Sequence, residues 1–286
     1  MKVLVAGGTG FVGTYLTEEL QKKHEIITIG RSLKNNICID ITDKEQLKKI
    51  PKADALVNLA AYIPNGGLSY HETAEETREC IKINTLGTYN LLQIARERKM
   101  KFIQSSSLAV FGKNLQQKTN EQTSRMPLSS YGLSKHLADC FCELHNVTIL
   151  CYSSIYGYGQ KKNSVIPLFI EQAKDGKDIV VFGAGQRSMD FVYVKDVVQA
   201  NIKALESKTT GFFTIGSGTA TTMLELAEKV KVLFGTQNCT VKRDFKKEEE
   251  KIQVSMDIRR ANKLLGYAPT YSMDDGLQDY KRMLNE

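Results

Sequence analysis

Residues 2–6, Lys-Val-Leu-Val-Ala, run directly into Gly7-Gly-Thr-Gly-Phe-Val-Gly13 and then into TYLTEELQKK at 14–23. A short apolar run of this kind is expected of a parallel strand buried on both faces, and the stretch after the glycines repeats its apolar residues at helical spacing. Strand, glycine turn and helix in that order mark a dinucleotide-binding turn. Gly7 permits the tight turn, Gly10 lets backbone approach a pyrophosphate, and Gly13 lets helix and strand pack closely. The phosphates would meet the free N–H groups at the start of the helix. Gly7, Thr9, Gly10, Phe11, Val12 and Gly13 are the expected contacts; the competing reading is a tight turn that binds nothing.

Working outward, EIITIG at 25–30 reads as the second strand and NICID at 36–40 as the third. A free ribose 2′-hydroxyl is usually met by an acidic residue after the second strand, and a 2′-phosphate by a cation. The chain offers Arg31-Ser32 there and no acid before Asp40, which favours NADP(H) over NAD(H) unless Arg31 is only a solvated loop charge. A periodic stretch, Lys44 to Ile50, leads into the buried strand ADALVNLAA, whose end (Leu59, Ala60, Ala61) has small side chains that let backbone lie against a cofactor. Residues 62–76 are polar with turn signals, and a long helical pattern runs from Thr77 to Lys99 with Asn84 inside it. The strand KFIQSSS at 101–107 ends in Ser105, Ser106 and Ser107, hydroxyls at the strand's carboxyl end, where open α/β sheets bind ligands.

Tyr131 and Lys135 stand four apart after a Pro/Ser turn (Pro127, Ser129, Ser130) that can start a helix, so they share one helix face. A free phenol titrates near ~10 and is a poor base at neutral pH. A lysine within about 4–6 Å favours the phenolate, and bringing its pKa to about 7 takes ~4 kcal/mol, so a positively charged cofactor ring is expected to help. Such a tyrosine passes a proton to and from an alcohol while a hydride moves at carbon. A second pair, Tyr158 and Lys162, lies in the Gly-rich loop YGYGQKKN, where the same spacing aligns nothing. VTILCY at 147–152 is a further strand. Beyond Ile155 short strands at 179–183, 190–194 and 212–216 alternate with helices at 164–174, 195–207 and 222–234, a less regular pattern expected of a smaller lobe.

Composition narrows the class. The 286 residues hold 42% apolar and 25% charged residues, ordinary for a water-soluble globular chain. The net charge of +7 is scattered among acids, as in KRDFKKEEEK at 242–251, with no basic stripe of the kind that grips nucleic acid. The six cysteines show no zinc spacing and read as reduced thiols of a cytoplasmic protein; the four histidines form no ligand or triad pattern, so no metal is expected. No apolar run is long enough to cross a membrane, and the first strand begins at Lys2, which leaves no signal peptide in the reading.

GGTGFVG, Asp40-Ile41, NLAA, NTLGTYNLL, SSSLAVFG, Tyr131/Lys135, IYGYGQ, GAGQRSMDFVYVKDV, TIGSG and LLGYAPTYSMDDGL, in this order, resemble the extended short-chain dehydrogenase/reductases of the NAD(P)-dependent epimerase/dehydratase family, which act on nucleotide-diphosphate sugars. The resemblance covers nearly the whole chain. It implies a doubly wound parallel α/β sheet of Rossmann type (1–155 with 190–210) and a smaller C-terminal α/β substrate lobe (156–189 with 211–286). It implies that Tyr131 is the acid/base, that Lys135 holds the nicotinamide ribose and lowers the tyrosine pKa, and that Ser107 bonds the reacting oxygen. Asp40-Ile41 would border the adenine, and Asn84, Ser105, Ser106, Tyr152 and Ile155 complete the implied cofactor contacts. Ser154, Val181, Phe182 and Lys247 join Ser107 and Tyr131 as the implied substrate contacts, and Arg187 or the Lys161–Lys162 loop is the candidate to replace a diphosphate-binding arginine that this chain lacks. A homodimer paired through the helices around 77–99 and 129–145 is implied as well.

Departures from the family pattern bear on the reaction. The family's dehydratases carry an acidic pair where this chain has Leu108 and Ala109, which argues against dehydration, and the usual tyrosine is Phe111. The diphosphate-binding arginine falls on Met189, a second one on Lys247 with Glu250 in place of its acid partner, and two other expected polar residues are Cys151 and Ser154. The expectation is hydride transfer at a sugar C4, leaning to a 4-ketoreductase, with a UDP-hexose-type 4-epimerase as the alternative. A reductase of a non-sugar ketone or alcohol, and a non-catalytic NADP(H)-binding regulator, are the further readings.

Overall fold

The computed structural model describes residues 1–64 and 72–286; part of the polar stretch read at 62–76 lies outside them. In chain order the first half runs β1 (Lys2–Ala6), α1 (Phe11–Gln21), β2 (Glu25–Gly30), β3 (Ile37–Cys38), α2 (Lys44–Leu47), β4 (Ala55–Asn58), α3 (Ala74–Glu79), a π-helical segment (Cys80–Gly87), α4 (Thr88–Glu97), β5 (Lys101–Ser107), α5 (Ser130–Glu143) and β6 (Thr148–Tyr152). The second half runs β7 (Ser154–Tyr156), α6 (Val165–Lys174), β8 (Ile179–Phe182), β9 (Ser188–Tyr193), α7 (Val194–Glu206), β10 (Gly211–Ile215), β11 (Ala220–Thr222), α8 (Met223–Phe234), β12 (Val241–Asp244), α9 (Arg259–Leu265) and α10 (Met273–Asn285).

Seven strands form one parallel sheet in the order β10-β6-β5-β4-β1-β2-β3. Alternation along β1 shows how both faces are buried. Val3 and Val5 join the core that includes Leu16, Leu20 and Val197 of α1 and α7, while Leu4 and Ala6 join the core of Leu91, Leu92 and Ala95 of α4. The strand order reverses direction at β1 and β4, so the crevice beyond their carboxyl ends is where such a sheet takes its ligand. Gly7 follows β1 and Leu59-Ala60 follows β4, so the two segments quoted for the cofactor are neighbours in space.

Several expectations are corrected. The third strand is cut to Ile37–Cys38, and the periodic stretch at 44–50 forms only one turn, capped by Asp43. The helix expected to run unbroken from Thr77 carries the π segment, with Asn84 inside it. Gly211–Ile215, grouped with the smaller lobe, is instead the outer strand of the main sheet, because its apolar residues Phe213 and Ile215 are fully buried on the face covered by α7 and α9.

The remaining strands make two small assemblies, β11-β9-β7 and β12-β8. Buried carboxylates tie them to the sheet. Asp190 on β9 accepts from Ser217 N (2.7 Å), Ser217 Oγ (2.8 Å), Gly218 N (3.0 Å) and Met256 N (2.9 Å). Asp196 on α7 accepts from the backbone of Thr270 and Tyr271 before α10. Each satisfies backbone donors of a turn that has no ladder of its own.

Candidate active site

Helix α5 begins where Ser129 accepts a hydrogen bond from Gly132 N (3.0 Å), the N-cap expected of a serine. The Glu72 carboxylate adds two more acceptors there, to Ser130 N at 2.5 Å and Tyr131 N at 3.3 Å. A carboxylate suits the positive end of a helix, so Glu72 fixes the start of α5 beside the tyrosine. Tyr131, Lys135 and Asp139 then recur at helical spacing on one buried face.

The three serines ending β5 meet that face. Ser107 lies within hydrogen-bonding reach of the Tyr131 phenol, the Lys135 ammonium donates to Ser105 Oγ at 3.5 Å, and Ser106 Oγ donates to Asp139 Oδ2. Ser107 is also the N-cap of a short turn, Leu108–Val110, accepting from Ala109 N at 3.3 Å. Sequence reasoning thus finds Tyr131, Lys135 and Ser107, and the fold brings them together. It misses Asp139, Glu72 and Cys80, whose thiol packs against Tyr131 and is pushed up to about 11 by burial. An acid four residues after Lys135 was the one available signal for Asp139.

One electrostatic expectation is reversed in the chain by itself. Burial pushes the Tyr131 phenol up to about 12; the Ser107 hydrogen bond acts the other way and does not offset it. Burial likewise lowers the Lys135 ammonium, and Asp139 raises it.

The cofactor residues divide. Gly7 has φ +77°, and a Cβ there would lie 2.8 Å from Ala60 N, so the turn and the end of β4 touch through backbone alone. No side chain caps the N-terminus of α1, where Gly10 is the N-cap and Phe11 and Val12 begin the helix beside Thr9. This is a cradle that a pyrophosphate fits. Arg31 and Ser32 are exposed after β2; Asp40 accepts from Thr42 N and Oγ1, which holds its carboxyl below the usual range against the effect of burial. The Ile41 side chain is buried and would contact any Cβ placed on Gly87.

Asn84 is occupied by the protein itself. Its amide accepts from Tyr62 N (2.7 Å) and donates to Tyr62 O (2.9 Å) and Ser134 Oγ (2.9 Å), clamping the chain after Ala61 to α5. The Tyr152 hydroxyl turns to Asn201 on α7 at 3.0 Å, and Ile155 lies on β7.

The expected substrate residues gather elsewhere. Ser154 lies on β7, beside β9, which carries Met189; Val181 is buried and Phe182 exposed on β8. Lys247 Nζ stands 4.5 Å over the Phe182 ring. Arg187 pairs with Glu250 at 3.3 Å, and Glu249 accepts from Ala184 N and Arg187 N. Arg187 Nε is buried with no acceptor among the described residues. Arg187 lies just before β9, two positions ahead of Met189 on that strand. Leu108, Ala109 and Phe111 are buried, and Phe111 packs edge-on against Phe212 of β10. Among the described residues no three His, Cys, Asp or Glu side chains are grouped to hold a metal, and no helix is long and apolar enough to cross a membrane.

Known proteins resemble this chain in sequence and fold. The chain is 31% identical to the UDP-N-acetyl-alpha-D-glucosaminuronate decarboxylase of Bacillus cytotoxicus, over 97% of this chain and 96% of that protein. Its fold superposes on the structure of UDP-glucose 4-epimerase with UDP-glucose from Thermotoga maritima with a TM-score of 0.85 and 26% identity, covering 100% of both chains. The UDP-glucuronic acid 4-epimerase of Bacillus cereus, in complex with UDP-glucuronic acid and NAD, gives a TM-score of 0.85 at 25% identity, covering 100% of this chain and 99% of that one. The sequence profile of the NAD dependent epimerase/dehydratase family matches residues 3–216. With that match across three quarters of its length, the chain belongs to the NAD dependent epimerase/dehydratase family.

Proposed function

We propose that this chain is an NAD(P)-dependent enzyme that moves a hydride at C4 of a nucleotide-diphosphate sugar, with 4-epimerisation as the outcome. The observation that carries the reading is the convergence of Tyr131, Lys135 and Ser107 beside a Leu108-Ala109 pair that is buried and apolar. Tyr131, Lys135 and Ser107 are suited to acid/base work on an alcohol, and the two residues that follow Ser107 carry no carboxyl group to assist elimination. Similar structures that are themselves 4-epimerases support that outcome over a net reduction.

Tyr131 takes the proton of the C4 hydroxyl and returns it, Ser107 holds the same oxygen, and Lys135 donates to the nicotinamide ribose. When bound, NAD(P) would be held by the Gly7–Gly13 turn and by Lys135 and would supply the hydride acceptor and donor for C4. Because burial alone leaves the phenol at about 12, Tyr131 becomes a base only when positive charge is added beside it. Arg187 and Lys247 serve the diphosphate, Val181 and Phe182 flank the base, and Ser154 faces the sugar. The helices carrying Ile81, Leu86, Leu133 and Leu137, all exposed apolar side chains, pair two copies into a dimer. All six cysteines are unpaired, in keeping with a cytoplasmic setting.

A second reading has its own observation. β2 ends at Gly30 and is followed by Arg31 with no acid before Asp40, which favours NADP(H) and a 4-ketoreductase that exchanges its cofactor each turnover. The test is the cofactor retained on purification, followed by incubation with UDP-glucose and NAD⁺ and separately NADP⁺. Retained NAD and formation of UDP-galactose support the epimerase. An empty protein that binds NADPH at least about tenfold tighter than NADH, a difference of ~1.4 kcal/mol, and makes no epimer supports the reductase. Binding of neither cofactor overturns both.

A further inference from the structure

Asp139 is fully buried on the inner face of α5, one turn beyond Lys135 and two beyond Tyr131. Its Oδ2 accepts from Ser106, and its Oδ1 has no hydrogen-bond donor among the described residues. A buried carboxylate with an empty acceptor is costly and adds nothing to packing that an apolar side chain would not supply. What it does supply is charge.

Lys135 is as deeply buried as Asp139, and its only hydrogen bond among the described residues is the long one to the neutral Ser105 hydroxyl; no carboxylate, Asp139 included, lies within 4.0 Å of its ammonium among the described residues. Positions four apart on a helix are neighbours, about 5–6 Å between Cβ atoms. The other groups facing Asp139 do not compete for the role. Arg125, from the segment before α5, is engaged by Glu143 at 2.6 Å. Cys142 on α5 and Cys151 on β6 are thiols pushed well above their ordinary range by burial, and Cys140 is raised as well, so all three stay neutral.

We propose that Asp139 is a positioning residue, the buried counter-charge that keeps Lys135 an ammonium ion, held in place by Ser106. The inference rests on the reading of Lys135 given above. It links the middle serine of β5, Ser106, which donates to Asp139 of α5, to the state of the lysine. Burial pushes the Asp139 carboxyl up to about 7, and Lys135 and Ser106 work against that rise. Above that pH the carboxylate opposes the burial that lowers the lysine, so the lysine keeps its proton to a higher pH than its surroundings alone would allow.

The test follows NADH and NADPH binding by cofactor fluorescence from pH 6 to pH 9 in the wild type, Asp139→Asn and Asp139→Glu, on the full chain. In Asp139→Asn the affinity falls by about tenfold or more at the alkaline end while changing little at pH 6, as Lys135 loses its proton earlier. Asp139→Glu restores the wild-type profile, which a shape-only role would not do. Where Asp139→Asn fails to fold, Asp139→Leu, close in volume and neutral, gives the same reading. Neutral variants that follow the wild type at every pH overturn the proposal and leave the reading of the site standing, as does an Asp139→Glu that behaves like Asp139→Asn. A wild type that binds neither cofactor removes the reading, and the proposal with it.

Discussion

A Cβ on Gly13 would stand 2.2 Å from the carbonyl oxygen of Gly7, closer than any real pair of such atoms. The contact joins the first turn of α1 to the end of β1, so the helix N-terminus sits where the turn leaves the strand. Gly13→Ala therefore pushes α1 off the sheet, costing about 1–3 kcal/mol of stability and displacing the phosphate cradle. Denaturant unfolding and NADH titration check this together, with cofactor affinity falling at least about tenfold. A variant that keeps wild-type affinity would show that the cradle does not bind phosphate.

Tyr131→Phe removes only the phenolic oxygen. Epimer formation or hydride transfer drops by about 10²–10⁴-fold, while NADH affinity and thermal midpoint stay close to the wild type. The pH dependence has a sign. Without cofactor the phenol is pushed up to about 12, so phenolate absorbance that disappears in Tyr131→Phe is absent at pH 9 in the free protein and emerges only when oxidised cofactor is bound.

Asp190 holds three backbone N–H groups and one hydroxyl that have no other role in the ladder. Asp190→Ala leaves those donors buried without an acceptor and costs about 3 kcal/mol or more, whereas Asp190→Asn retains one acceptor oxygen and costs about 1–3 kcal/mol. Urea unfolding of the two variants gives the order directly. An Asp190→Ala chain as stable as the wild type would mean the turn after β10 is held by something else.

Asp279 binds Lys195 at 2.7 Å, Arg282 at 2.8 Å and the Tyr193 hydroxyl, and these hold its carboxyl down to about 2 although burial alone would raise it. A depressed acid contributes stability that is present above its unfolded pKa of about 3.9 and is lost as pH falls through the folded value. With partial solvent screening the contribution is about 1–2 kcal/mol. The thermal midpoint of Asp279→Asn therefore lies below the wild type at pH 6, and the gap closes between pH 4 and pH 2. A gap that stays constant across that range would rule out the ion cluster as its source.

Much of the site was legible because its signals are local. The β1–turn–α1 unit is written in three glycines and a five-residue apolar run; the Ser129 cap sits next to the helix it starts. Tyr131 and Lys135 declare a shared face by their spacing alone. KFIQSSS was read with its observed limits, 101–107, since a parallel strand buried on both faces needs only its own apolar run.

The glycine turn after β1, the order of the parallel strands' building units and the pair on α5 were each set by residues within a turn or two of one another, and so were fixed by the amino-acid order alone. Tertiary structure alone decided the rest. Gly211–Ile215 joins the main sheet because β6 offers it an open edge, and β7, β11 and β12 exist only through partners more than ten residues away. Asn84 is a clamp on Tyr62 rather than a free amide because the π segment turns it toward backbone that follows β4. Asp139 reads as one more acid on a surface helix until β5 and β6 close over it. Whether a carboxylate is solvated or buried depends on what folds against it, and that information lies in contacts far apart along the chain.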